Sequence, residues 1–184
     1  MEKATQTPIM IYTEQTPNPE SLKFVTNRML YANLRADFRE RTLADEWSPL
    51  ASELFNFPFV KGVYISNNFV SITKEPNYPW PEIMIDVKEF IKTYLNEDKT
   101  VIKDGFEAVL EKIEADRVKD YDGNDAEIVK KITEIIDTYV KPAVEMDGGN
   151  IEFRSFEQGV VTVVLQGACS GCPSSTVTLK SGIE

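Results

Sequence analysis

An α+β protein is expected from this sequence, built of two small mixed domains that each pack a small, mainly antiparallel sheet against helices and are joined by a charged linker. Three observations carry the expectation. Short apolar runs of period two are interspersed with runs of helical period along the chain. Clusters of proline, asparagine and glycine separate them. Near residue 99 the composition shifts to a stretch of alternating charge. A length of 184 residues suits two domains of modest size. We place the first at residues 9–98, the linker at 99–124 and the second domain at 125–184.

In the first domain, Ile9 to Tyr12 and Leu22 to Val25 read as short strands. Between them Thr16-Pro17-Asn18-Pro19 must be a loop, because two prolines fix φ and break a continuous ladder. A short helix is expected over Pro49 to Phe55. Gly62 to Thr73 reads as a hairpin: Val63 and Ile65 alternate with more polar neighbours, and Asn67-Asn68 tolerates the left-handed backbone of a tight turn. Beyond the stiff Pro76 to Pro81 stretch, Ile83, Val87, Phe90, Ile91 and Tyr94 recur on one face of a helix from Pro81 to Leu95. Trp47, Trp80, Phe55, Phe57 and Phe59 are expected to fill the core of so small a domain. Glu111 to Asp120, with its alternating charges, lies in the linker.

The second domain is expected to open with Asp125 as a helix N-cap. Ile128, Ile132, Ile135, Ile136, Tyr139 and Ala143 then form one helical stripe, Pro142 kinks or ends the helix, and Met146-Asp147-Gly148-Gly149-Asn150 stops it. Asp147-Gly148-Gly149 lacks the lysine and glycine spacing of a phosphate loop and reads as a turn. Strands follow at Ile151 to Phe156 and Val160 to Gln166, around Gly159. Val160 to Leu165 is apolar on both faces, which predicts cover on both sides. A final helix is expected from Pro173.

Composition excludes several functions. Thirty acidic residues against twenty basic ones give a net charge of -10, which disfavours a grip on nucleic-acid phosphates or anionic lipid. The chain has no histidine, so imidazole-dependent catalysis and histidine-ligated metal sites are ruled out. No apolar run approaches the roughly 18 residues of a membrane helix, and Met1 to Thr13 has the polar character opposite to a signal peptide. A cytoplasmic protein is expected on that ground. The two cysteines, Cys169 and Cys172, would close too small a loop to act as a structural staple.

Those two thiols lie between a strand and the expected start of a helix, where free N–H groups and the helix dipole favour the thiolate, the form that soft metals and iron-sulfur clusters bind. Gly167 and Gly171 leave room for a bulky group, and Ser170, Ser174, Ser175 and Thr176 supply hydroxyls. Two thiolates are half of a tetrahedral zinc site and half of the ligation of a 4Fe-4S cluster. Without further Cys or His, a second copy of the chain or a small thiol such as glutathione has to complete the set. Three readings stand on these residues: a shared iron-sulfur cluster, a zinc-bridged structural dimer, and a thiol-disulfide oxidoreductase. The third needs more strand after the active-site helix than the 12 residues that follow Cys172 provide.

Lys141 to Phe153 followed by Leu165 to Thr176 resembles the C-terminal domain of the NifU-like (Nfu) proteins, and Thr16 to Phe24 with Gly62 to Lys74 resembles the Nfu N-terminal domain. The resemblance implies a non-enzymatic scaffold or carrier that holds a 4Fe-4S cluster between two subunits of a homodimer. It implies Cys169 and Cys172 as the ligands, apo iron-sulfur proteins as recipients and upstream cluster-assembly proteins as donors. The family continues past the point that Glu184 marks here, so the second domain is expected to be incomplete.

Overall fold

The computed structural model describes residues 7–115 and 121–172. Five strands, β1 (Ile11–Gln15), β2 (Ser21–Thr26), β3 (Tyr31–Phe38), β4 (Val60–Asn67) and β5 (Phe69–Lys74), form one antiparallel sheet in the order β1-β2-β5-β4-β3. Three helices, α1 (Arg41–Trp47), α2 (Pro49–Leu54) and α3 (Trp80–Asn96), accompany it. The expected hairpin is β4–β5, and Asn67 at its turn takes φ 45°, a value asparagine tolerates. The expected helices are α2 and α3. Ser48 caps α2 by accepting from the Ala51 N–H, and Pro49 occupies the first turn, where its missing N–H costs nothing.

Alternation along the strands divides the sheet into two faces with different fates. Leu22 and Phe24, Ala36 and Phe38, Val63 and Ile65, and Val70 and Ile72 point to one side and pack with Leu50, Leu54, Ile83, Val87, Ile91 and Leu95 of the helices. That is the main core. Trp47, Trp80, Phe55 and Phe57 lie half-buried against it, and Phe59 is within it. The opposite face carries Lys23, Val25, Tyr64, Phe69, Ser71 and Asp37, of which Val25, Tyr64 and Phe69 form a second small cluster.

Strand β3 and helix α1 had no counterpart in the sequence reading. Nor did α4 (Phe106–Ala115), which lies inside the stretch read as linker. Its first residue, Phe106, is buried, stacks on Phe38 at 5.6 Å between ring centroids and lies as close to Trp47. The charged stretch thus includes an amphipathic helix anchored by one aromatic residue. Residues 116–120 lie outside the described chain.

The second unit comprises α5 (Asn124–Ile135), a π-helical turn over Ile136–Val140, α6 (Lys141–Met146), and the antiparallel pair β6 (Gly149–Glu157) and β7 (Val160–Gly167). Three local expectations are corrected here. The N-cap of α5 is Gly123, and Asp125 lies within the first turn. The apolar stripe does not stay in phase: Ile136 is buried, whereas Ile135 and Tyr139 are exposed. A π turn bonds each N–H one residue further back, so side chains beyond it fall out of α-helical register. Finally, β7 is not covered on both faces; Val160 and Thr162 are exposed and Val161, Val163 and Val164 only half-buried. A two-stranded ribbon has too few neighbours to enclose a continuous apolar strand. No helix among the described residues is long and apolar enough to cross a membrane.

Candidate functional site

The thiol loop begins where β7 ends. Gly167, at φ 62°, turns the chain, the Ser170 N–H closes a turn on the Gly167 carbonyl at 3.1 Å, and Ala168 donates to the Gly148 carbonyl at 3.2 Å. Gly148 itself has φ 81°, which ends α6 as the sequence predicts. The helix stop and the thiol loop therefore lie side by side. Gly149 faces Cys169 so closely that a Cβ there would sit 2.7 Å from its Sγ. The Cys169 thiol points towards the Val144 carbonyl, 4.0 Å away.

Both candidate ligands are buried, Cys169 at 4% and Cys172 at 2% exposure, with Ala168 between strand and thiols equally hidden. Both lie in the loop that follows β7. Ser170 is half-exposed and, with Gly171, lines a cleft of about 270 Å³ shared with Asn18, Glu20, Lys61 and Lys74 of the first unit. The hydroxyls of Ser174, Ser175 and Thr176, and the helix expected from Pro173, lie outside the described residues. Among the described residues no group of three or more Cys, His, Asp or Glu side chains converges as a metal site.

What the sequence reading did not find is that the second face of the five-stranded sheet meets this loop. Lys23, Ser71, Tyr64 and Asp37 are successive cross-strand partners on β2, β5, β4 and β3. Lys23 donates to the Met146 carbonyl at 3.3 Å, and Ser71 donates to the Gly148 carbonyl at 2.8 Å. The Gly167 N–H donates to Asp37 Oδ1 at 3.4 Å, and the Tyr64 ring lies directly under Gly167. Arg35 pairs with Glu145, and Arg39 donates to the Leu165 carbonyl. From the Pro-rich loop, Asn18 reaches the residue before Cys169: its Nδ2 donates to the Ala168 carbonyl at 2.9 Å in a buried setting. Asn18 was legible only as part of a loop and a resemblance; its role needed the fold.

Burial also sets the chemistry of Tyr64, whose hydroxyl is pushed well above its ordinary pKa by desolvation, against the lowering effect of the Arg35 guanidinium. Asp147, beside the loop, is raised by partial burial, while Lys23 pulls it back. Within the second unit, fully buried Asn150 donates through Nδ2 to Glu152 Oε1 at 2.9 Å and to Gln166 Oε1 at 2.7 Å, tying β6 to β7 just before the loop.

A helix-and-ribbon unit that presents a Cys-x-x-Cys loop against a second, cysteine-free α+β unit defines a two-unit protein with a paired-thiol loop. Residues 11–98 match the family described as scaffold protein Nfu/NifU N terminal, and residues 132–184 match the NifU-like domain family. The chain belongs to the NifU-like (Nfu) family. It is 38% identical over 185 residues to the protein of Drosophila sechellia named NFU1 iron-sulfur cluster scaffold homolog, mitochondrial, covering 100% of this chain and 62% of that one. To the human protein of the same name it is 34% identical over 181 residues, covering 96% of this chain and 66% of the relative. NifU-like protein 4, mitochondrial, of Arabidopsis thaliana is 38% identical over 186 residues, at 96% and 60% coverage. The chain thus spans less than two thirds of the length of these relatives.

The names correct one expectation. A cytoplasmic protein is expected from the lack of a membrane-length apolar run and the polar character of Met1 to Thr13, yet the relatives are named mitochondrial. The composition of one end of a chain that spans only part of its relatives carries no information about compartment.

Proposed function

We propose that this chain is an iron-sulfur scaffold whose cargo is a 4Fe-4S cluster, held by Cys169 and Cys172 of two copies and passed on to apo-proteins. The observation that carries the reading is a donor count: the whole sequence has two cysteines and no histidine, and both thiols occupy one glycine-flanked loop. Four thiolates complete a 4Fe-4S cluster, so a two-fold pairing of chains through the loop supplies the set. The iron-sulfur cluster scaffold names of the Drosophila and human relatives support an iron-sulfur cargo.

A ligand set split between chains opens when the chains part, which suits transfer better than storage. Upstream assembly proteins load it and apo-proteins unload it, with no turnover chemistry at the site. The mitochondrial names of the relatives support action in that compartment.

Anaerobic reconstitution with iron and sulfide tests the reading. The expected product is a brown dimer with about four irons and four sulfides per pair of chains. Cys169→Ser or Cys172→Ser is expected to abolish cluster binding while the five-stranded sheet, which has no cysteine, stays folded. Full cluster stoichiometry in the double replacement, or in a lone monomer without added thiol, would refute the ligand assignment.

A further inference from the structure

A cluster shared by two chains needs the Cys169 and Cys172 sulfurs turned outward, yet in this structure they are 4% and 2% exposed. The backbone that leads into the thiols, and the helix stop beside it, are held by the first unit. Asn18, itself 4% exposed, donates to the Ala168 carbonyl at 2.9 Å, and Ser71 donates to the Gly148 carbonyl at 2.8 Å. Asp37 accepts from the Gly167 N–H at 3.4 Å, and Lys23 donates to the Met146 carbonyl at 3.3 Å. Main-chain groups of the helix stop and of the loop itself are therefore satisfied by side chains more than seventy residues away in sequence.

The donor in this contact is fixed in place. Thr16 Oγ1 donates to the Asn18 carbonyl at 2.9 Å and accepts from the Asn18 N–H at 3.2 Å, while Asn18 Oδ1 accepts from the Glu20 N–H at 3.0 Å. With Oδ1 occupied on the backbone of its own loop, Nδ2 is left directed at Ala168. A buried carbonyl that loses such a donor has to find water, so moving the loop, which breaks this bond, is unfavourable.

We propose that the first unit is a clasp on the thiol loop: the docked state keeps both thiols closed to cluster exchange, and release of the loop from Asn18 and the Lys23–Ser71–Tyr64–Asp37 row precedes loading. This rests on Cys169 and Cys172 being the cluster ligands. The clasp also makes a prediction independent of any cluster. Modification of a buried thiol proceeds through the open state, so its rate follows the opening equilibrium. Each lost hydrogen bond raises that equilibrium by about twofold to tenfold.

The test uses the full chain under native conditions and measures alkylation of Cys169 and Cys172 by iodoacetamide for the parent, Asn18→Ala, Ser71→Ala and, as a surface control, Glu89→Ala. Asn18→Ala and Ser71→Ala are expected to react about twofold to tenfold faster than the parent and the control at the parental rate. Tryptophan fluorescence, from Trp47 and Trp80 in the first unit, reports whether each variant is folded; if Asn18→Ala is not, Ser71→Ala decides. Parental rates in the folded variants would overturn the clasp. Anaerobic reconstitution then separates the two ideas. Faster initial cluster uptake by the variants supports gating, and faster alkylation without faster uptake overturns it. Failure of every chain, the parent included, to take up a cluster sinks the cargo reading and leaves the contact to be judged by alkylation alone.

Discussion

Replacing Gly167 by alanine probes the contact at its tightest point. Gly167 has φ +62°, and a Cβ built there would lie 2.7 Å from the Gly148 carbonyl oxygen, 2.8 Å from Tyr64 Cγ and 3.0 Å from Gly149 Cα. Two of these neighbours are backbone, and Gly149 is the ladder partner of Gly167. The third is a ring only 1% exposed, enclosed by Val25 and Phe69, so none can swing aside. The left-handed conformation costs an alanine about 1–2 kcal/mol. Forcing a methyl group into a filled space adds about 1–3 kcal/mol. Gly159→Ala is the internal reference, because Gly159 has φ +82° and no heavy atom within 4 Å of the added carbon. It should carry the conformational cost alone. The difference between the two variants, about 1–3 kcal/mol, is then the close approach of Gly167 to Tyr64 and Gly148. Urea unfolding followed by far-UV circular dichroism measures it. Equal destabilisation by the two replacements, within about 0.5 kcal/mol, would refute the packing argument, since that is the limit within which independent mutational effects agree.

Phe106→Ala is expected to destabilise the first unit by about 3–5 kcal/mol, as for other buried aromatic deletions, and to shift the emission of the adjoining Trp47; a chain with parental stability would show that α4 is not anchored there. At high pH, burial is the main cause holding Tyr31 and Tyr94 up at about 12, with Glu107 and Glu53 adding to it, and desolvation raises Tyr64 further. Because these folded values lie above the unfolded value of 10.0, the stability they contribute is intact below about pH 10 and is lost as pH rises through the folded values. Melting temperatures should fall above about pH 10, and an absorbance titration of the folded chain should show Tyr31, Tyr64 and Tyr94 lagging. Simultaneous ionisation of all seven tyrosines near the ordinary value would contradict this.

Elements whose signal is local were readable in the chain. The β4–β5 hairpin announces itself through alternation around Asn67-Asn68, and α3 through one apolar stripe entered at Pro81. Strand β3, Tyr31–Phe38, was missed because Arg35 and Asp37 look like solvent residues, whereas their face meets the second unit. For the opposite reason β7 was over-read: five apolar residues among the six from Val160 to Leu165 suggested cover that a two-stranded ribbon does not provide. The phase slip after Ile135 was invisible because a π turn leaves no mark in an apolar pattern.

Sequence alone determined the chemistry available to this protein, since the number and spacing of sulfur donors and the absence of imidazole are matters of composition. Whether those sulfurs can be reached was decided by tertiary structure. The Asn18–Ala168 bond joins residues 150 apart, and the Lys23–Ser71–Tyr64–Asp37 row exists only once four strands pair in register. Periodicity reports which face of an element is apolar, but what lies against the other face depends on contacts whose partners are distant in the chain.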